Sequence, residues 1–178
     1  FHAFHAGRMG LKTILIEKDL APQEATVRNF GQVVPSGMPQ GQWQQFGLDS
    51  TRLYKDLQSQ FDISVRHHGS AYIASDAAEY QLLEELHDIN RRNQYASELM
   101  SPSACCLKYR VLNSASCTGG LFFPDEITVE PRKLIHQLLA YLQEQLALTY
   151  YPLSHVVSCE VTPNGIRVED TAGQQYIR

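Results

Sequence analysis

No apolar run in this sequence approaches the roughly 18 residues that a membrane-crossing helix needs, so no integral membrane segment is expected. A stripe of Lys and Arg is also missing: 15 basic residues stand against 19 acidic ones, for a net charge of -4. That balance argues against a nucleic-acid partner, which selects for a basic face. The four cysteines, Cys105, Cys106, Cys117 and Cys159, have neither C-x-x-C spacing nor a nearby histidine pair. They read as free thiols in a reducing compartment, the cytoplasm, and not as a zinc site. His2 and His5 share a helix face at i and i+3, but no third ligand accompanies them and no metal is expected. There is no internal repeat, no low-complexity tract and no visible signal peptide. The sequence has no G-x-G-x-x-G turn and no initiating Met. It opens on FHAFHAGRMGLK, the tail of a helix closing at Gly7 or Gly10. These gaps predict a piece of a longer protein, cut inside its first helix and inactive alone.

What is present is globular. An apolar share of 43% over 178 residues suits one domain or parts of two. The organising stretch is residues 11–32, LKTILIEKDLAPQEATVRNFGQ. Its first part, 11–16, is apolar and rich in β-branched residues, and Glu17 ends it. This predicts a parallel strand covered on both faces by helices. In a dinucleotide-binding unit, an acidic residue at the end of the second strand accepts hydrogen bonds from the adenosine ribose hydroxyls. Such a Glu serves a nicotinamide cofactor as well as a flavin one. Residues 26–32 are polar, carry Arg28 and Asn29, and turn through Gly31. A loop of this kind brings backbone N–H groups and a cation near a pyrophosphate.

Downstream, VVPSGMPQGQ is a loop, and a helix is expected over 43–61 with Trp43, Phe46, Leu53, Leu57 and Phe61 on its buried face. Residues 64–75 are strand-like in two parts around Gly69. Their polar members Arg66, His67 and His68 read as solvent-exposed or core-edge residues ahead of any role in a site. Asp76 with Glu79 forms a capping-box pattern, opening a helix to about Arg92 with Leu82, Leu86 and Ile89 inward and Leu83 flanking. Ser101-Pro102 starts a short helix. The block GGLFFPDEITVEPRK gives a strand over 121–123, then a turn in which Asp125 and Glu126 read as structural. A helix over 131–147 carries the stripe Leu134, Ile135, Leu138, Leu139, Leu142 and Leu146. From 148 onward, TYYPLSHVVSCEV, a Pro163-Asn164-Gly165 turn, IRVED, a turn at Ala172-Gly173 and QQYIR predict one meander.

Four blocks, GLKTILIEKD, ATVRNFGQ, GGLFFPDEITVEPRKLIHQL and the meander around HVVSCEV, together resemble the D-amino acid oxidase and glycine oxidase superfamily of FAD-dependent oxidoreductases. Within it, the RNFGQ loop and the PDE…PR block are most similar to a bacterial subgroup found beside phosphonate-degradation genes. The resemblance implies an α/β fold: an incomplete Rossmann-like FAD-binding domain with an inserted α+β substrate domain containing an antiparallel sheet. The expected division is 1–61 and 131–178 for the first and 62–130 for the second. It implies FAD as cofactor and a small amine, amino acid or aminophosphonate as substrate, oxidised by hydride transfer to the flavin. Carried onto this sequence, Glu17 binds the ribose and Lys18 lies near the adenine end. Ala25 and Thr26 approach the pyrophosphate or ribityl chain. Phe30, Gly31 and Gln32 border the isoalloxazine ring, and the backbone of Val156 pairs with the adenine edge. Arg28, beside Asn29, neutralises phosphate, meets an anionic substrate, or forms a structural salt bridge. The resemblance assigns no catalytic residue here, because the family's substrate-anchoring Arg and Tyr belong to its C-terminal half. A catalytically silent FAD-binding regulator or partner subunit is the alternative, and a NAD-dependent Rossmann enzyme a further one. The helix and meander after residue 130 favour FAD.

Overall fold

The computed structural model describes residues 1–163 and 165–177, Ile177 by its backbone. Asn164 of the expected turn and Arg178 of the last strand therefore lie outside the described residues. In chain order the elements are α1 (His2–Arg8), β1 (Ile14–Ile16), β2 (Gln32–Val33), α2 (Gln42–Gln60), β3 (Ser70–Ala74), α3 (Ala77–Arg92), β4 (Glu98–Met100), α4 (Pro102–Lys108), β5 (Gly119–Phe123), β6 (Ile127–Thr128), α5 (Pro131–Gln145), β7 (Thr149–Tyr151), β8 (Val156–Thr162), β9 (Gly165–Asp170) and β10 (Gln175–Ile177). Short 3-10 turns occupy Glu24–Thr26, Pro35–Gly37 and Ser114–Ser116. These elements group into two compact units, residues 1–30 with 130–178, and residues 31–129. Residues 31–61, α2 among them, therefore group with the second unit, whereas the sequence reading put them with the first.

In the first unit, α5 starts where its sequence dictates. Pro131 takes the first helical position, and the Glu130 carboxylate accepts the Arg132 N–H at 3.0 Å. Leu134, Leu138 and Leu142 are buried at i, i+4, i+8, as a single inward stripe requires. Helix α1 buries Phe4, whose ring meets Tyr141 of α5. After a turn at Leu148 the chain enters β7, which runs parallel to β1 with Ile14 opposite Thr149 and Ile16 opposite Tyr151. Two expectations change here. Leu15 is exposed while Ile14 and Ile16 are half-buried, because among the described residues β7 is the sole strand beside β1. And residues 149–151 leave the expected meander to join this parallel pair. Pro152, which has no N–H, ends the strand, and the Leu153 and Ser154 amides turn back to the Asp19 and Glu17 carbonyls. The meander proper is β8, β9 and β10, antiparallel in that order, with Gly173 closing the last turn.

The second unit is built on the antiparallel sheet β3-β5-β4, with β5 central. Alternation along β5 sends Leu121 and Phe123 to one face, against Tyr95, Leu48, Leu83 and Leu86. Phe122 goes to the other, among Met100, Cys105, Cys117 and Ile73. Helix α3 is capped as expected at Asp76, which accepts the Glu79 N–H, while the Glu79 carboxylate takes the amide of Ser75 instead of Asp76. Its inward residues are Leu83 and Leu86, and Leu82 is 63% exposed. The face of α2 is the expected one at Leu57 but not at the start of the helix. Trp43 and Phe46 are 63% and 51% exposed, and Gln44, Gly47, Thr51 and Leu57 are buried. Gly47 decides this, since a Cβ there would lie 3.0 Å from Met38 Sδ and 3.1 Å from Pro35. The helix comes close to the 35–38 segment at the one residue that allows it. No helix among the described residues is long and apolar enough to cross a membrane.

Candidate cofactor site and a buried carboxylate hub

Glu17 follows β1 directly. Its N–H donates to the Tyr151 carbonyl at 2.9 Å, extending the parallel pair by one bond. That places its carboxylate at the carboxyl end of a parallel pair, where α/β folds bind ligands. One oxygen, Oε1, accepts the Asp19 N–H at 3.0 Å. The other, Oε2, has no donor among the described residues. On the neighbouring strand the Tyr150 hydroxyl is buried with no hydrogen-bond partner among the described residues. Burial, and after it the nearby Glu17 charge, push that hydroxyl above its ordinary range. The Glu17 carbonyl accepts the Ser154 N–H at 2.8 Å, so Val156, which opens β8, stands two residues from the Glu17 main chain.

The loop after Glu17 is held by its own groups. Lys18 reaches the Glu24 carboxylate at 4.0 Å, with both side chains exposed. Ala25 and Thr26 lie in the 3-10 turn Glu24–Thr26, and the Asn29 amide donates to both of their carbonyls at 3.1 and 3.0 Å. Asn29 is thus a loop clasp, a role its spacing does not announce. Arg28 is exposed and makes no ion pair among the described residues. Phe30 is 90% exposed, its ring open on the surface.

In the second unit, Gly31 adopts φ 65, a left-handed conformation that glycine takes at least cost. Its carbonyl accepts the Val129 N–H, and Gln32 pairs with Thr128 across the two-residue ladder of β2 and β6. Arg66, His67 and His68 are all exposed. No cluster of His, Cys, Asp or Glu among the described residues could hold a metal ion.

Glu126 is structural, as its sequence reading expects, but through a buried network that reaches well beyond its own turn. It is only 1% exposed, and an ionised carboxylate so buried requires hydrogen-bond donors. It has three. Oε1 accepts the Ser36 N–H at 2.8 Å and the Tyr95 hydroxyl at 2.7 Å, and Oε2 accepts the Ser70 hydroxyl. Burial and this bond together raise the Tyr95 hydroxyl far above its ordinary range. Glu126 and Tyr95 line a cavity of about 180 Å³ with Thr51, Arg52 and Lys55, and Tyr95 also borders a larger cleft of about 640 Å³ floored by Gln44. No sequence signal marks Glu126 as a hub, because its donors lie 31, 56 and 90 residues away along the chain.

The sequence model of the family described as DAO, FAD dependent oxidoreductase, matches residues 1–178. The chain belongs to the DAO family. No curated protein matches this DAO-family chain. Solved structures agree with it in fold. It covers 98% of itself and 46% of L-proline dehydrogenase from P. horikoshii at 15% identity, with a TM-score of 0.87. Against glycine oxidase from Geobacillus kaustophilus the coverage is 98% and 49%, at 16% identity and a TM-score of 0.85. Against L-alpha-glycerophosphate oxidase from Mycoplasma pneumoniae with FAD bound it is 95% and 46%, at 18% identity and 0.79. The DAO-family chain thus spans about half the length of these proteins.

The residues present fit an FAD. Among the described residues Glu17 Oε2 has no donor and Arg28 no ion pair, and Phe30 has an open apolar ring. These are the acceptor, charge and stacking surface that a flavin dinucleotide calls for.

Proposed function

We propose that this chain provides FAD-binding and substrate-domain elements of an oxidoreductase that oxidises a small amine, amino acid or aminophosphonate. The observation that carries this reading is the family match along all of residues 1–178. FAD, when bound, supplies the hydride acceptor, so no protein nucleophile is needed. The protein's share is binding and orientation. In this reading Glu17 receives a ribose hydroxyl on Oε2, and Val156 presents main-chain groups to the adenine edge. Lys18 stands near the adenine, while Ala25, Thr26 and Arg28 take the phosphate region. Asn29 keeps that loop closed. Phe30, Gly31 and Gln32 border the flavin ring, where the side-chain-free Gly31 allows close approach.

In the same proposal, residues 62–130 form part of an inserted α+β substrate domain, for which the β3-β5-β4 sheet is support. The amine class is supported by the proline and glycine named for two of the similar structures, and the aminophosphonate member by the RNFGQ and PDE…PR blocks. Free cysteines support a cytoplasmic setting. The test is the visible spectrum of the natural protein, followed without oxygen while glycine, proline and 2-aminoethylphosphonate are added in turn. Bleaching of a flavin band by one of them is the expected result. A flavin that no amine bleaches would favour the silent FAD-binding reading, and a protein without flavin would remove the proposal.

A further inference from the structure

The Glu126 hub is unused by the cofactor reading, yet its three donors come from three separate pieces of the second unit. Ser70 opens β3, Tyr95 precedes β4, and Ser36 lies in the turn Pro35–Gly37 that follows β2. The bond to Ser36 is to its main-chain N–H, so it fixes the path of the backbone whatever side chain stands at 36. The Ser36 hydroxyl goes elsewhere, to the Tyr72 hydroxyl at 3.2 Å. Segment 31–37 is also held by Pro35, which is fully buried beside Gly47 of α2. Its ladder with β6 is two residues long, extended by the bond from Val129 to Gly31, and a two-residue ladder is marginal by itself. The Ser36 N–H bond to Glu126 adds a directional main-chain tether in a water-poor site.

We infer that Glu126 is a positioning residue: it sets the main-chain path of residues 31–37, and through that path the placement of Gly31 and Gln32 against the flavin ring. The inference rests on the FAD reading of those two residues. Its chemistry makes a sharp distinction between substitutions. In Glu126→Gln the remaining oxygen still accepts from Ser36 and Tyr95, and the new NH₂ donates to a Ser70 hydroxyl that has turned to accept. Glu126→Ala loses all three bonds. Tyr95→Phe removes one Oε1 donor without touching segment 31–37.

The experiment uses the natural protein with FAD bound and reads three quantities: the visible circular dichroism of the flavin, its reduction potential, and the FAD dissociation constant, with Tm as the measure of folding. Glu126→Gln is expected to keep all three close to the parent. Glu126→Ala is expected to change the dichroism and potential and to weaken FAD binding by about tenfold. Tyr95→Phe is expected to lower Tm with the flavin signals unchanged. If Glu126→Ala does not fold, Glu126→Asp carries the test, because it keeps the charge and withdraws the oxygens by one methylene. It should shift the same signals the same way by less. Unchanged flavin signals in the folded Ala or Asp variant, or an equal shift in Tyr95→Phe, would overturn the inference while leaving the FAD reading intact. A parent protein that holds no FAD would overturn both.

Discussion

Glu17 offers a single carboxylate oxygen outward, because the other already accepts the Asp19 amide. Charge-assisted bonds of this kind contribute about 1.5–3 kcal/mol each. We predict that Glu17→Ala in the natural protein weakens FAD binding by about ten- to a hundredfold, with Glu17→Gln milder in its effect on folding. The rate at saturating FAD should barely change, since the ribose lies far from the reacting ring. An unaltered dissociation constant would refute the ribose role. The cysteines differ from one another in a way their spacing hides. Cys159 is exposed, whereas burial, followed by its neighbours Cys117 and Cys106, pushes the Cys105 thiol up to about 11. A thiolate-seeking reagent should therefore modify Cys159 in the folded protein and reach Cys105 only after denaturation. The same shift has a stability consequence. The unfolded thiol ionises near 9 while the folded one stays protonated to about 11. The Cys105 contribution is thus complete below 9 and lost as pH rises through 11, and Tyr95, also raised, acts in the same direction. Denaturant midpoints measured across that range should fall, and a flat profile would contradict the assignment.

Helix α2 shows where periodicity stops being informative. Its existence and ends were legible, because a loop rich in Pro and Gly gives way to a long stretch of helix formers. Its orientation was not. Counting apolar residues selects Trp43, Phe46, Leu53, Leu57 and Phe61, of which Leu57 is fully buried, but near the start of the helix the inward face is chosen by close approach at Gly47, a residue with no hydrophobicity to count. We predict that Trp43→Ser and Phe46→Ser change stability by less than about 0.5 kcal/mol, as surface substitutions do. Gly47→Val should cost about 1–3 kcal/mol through overpacking against Pro35 and Met38. Leu138 in α5, by contrast, lies on a stripe that helical periodicity and structure both place inside, and Leu138→Ala should cost about 2–5 kcal/mol. Urea midpoints of the three α2 variants decide between its two readings, with Leu138→Ala as the reference for a buried position. The site divides along the same line. The strand-end position of Glu17 was legible because strand, carboxylate and polar loop are consecutive in sequence. Glu126 was not, because a hub assembled from residues 36, 70 and 95 leaves no local pattern.

At the scale of the molecule, none of the 178 residues forms a G-x-G-x-x-G turn, the usual cradle for a pyrophosphate at a helix N-terminus. Titrating the 178-residue chain with FAD is therefore expected to give no saturable quenching of flavin fluorescence at micromolar concentration. Saturation there would show that the contacts around Glu17 and Arg28 suffice alone. The two units also differ in how the chain composes them. Residues 31–129 run without interruption, but 1–30 and 130–178 are two separate stretches joined in one unit, whose parallel pair sets Ile14 beside Thr149. Forming that pair from an unfolded chain means closing a very long loop before any contact rewards it, whereas every strand pair of 31–129 closes a shorter one. Order of assembly follows from this. The middle of the chain can acquire its sheet first, and doing so draws the two outer stretches toward each other, which removes most of the entropy that opposes pairing of β1 with β7. Pulse-labelled hydrogen exchange during refolding should show the amides of β5 protected before those of β1, and a circular permutation that makes the two outer stretches contiguous should shorten the interval between them.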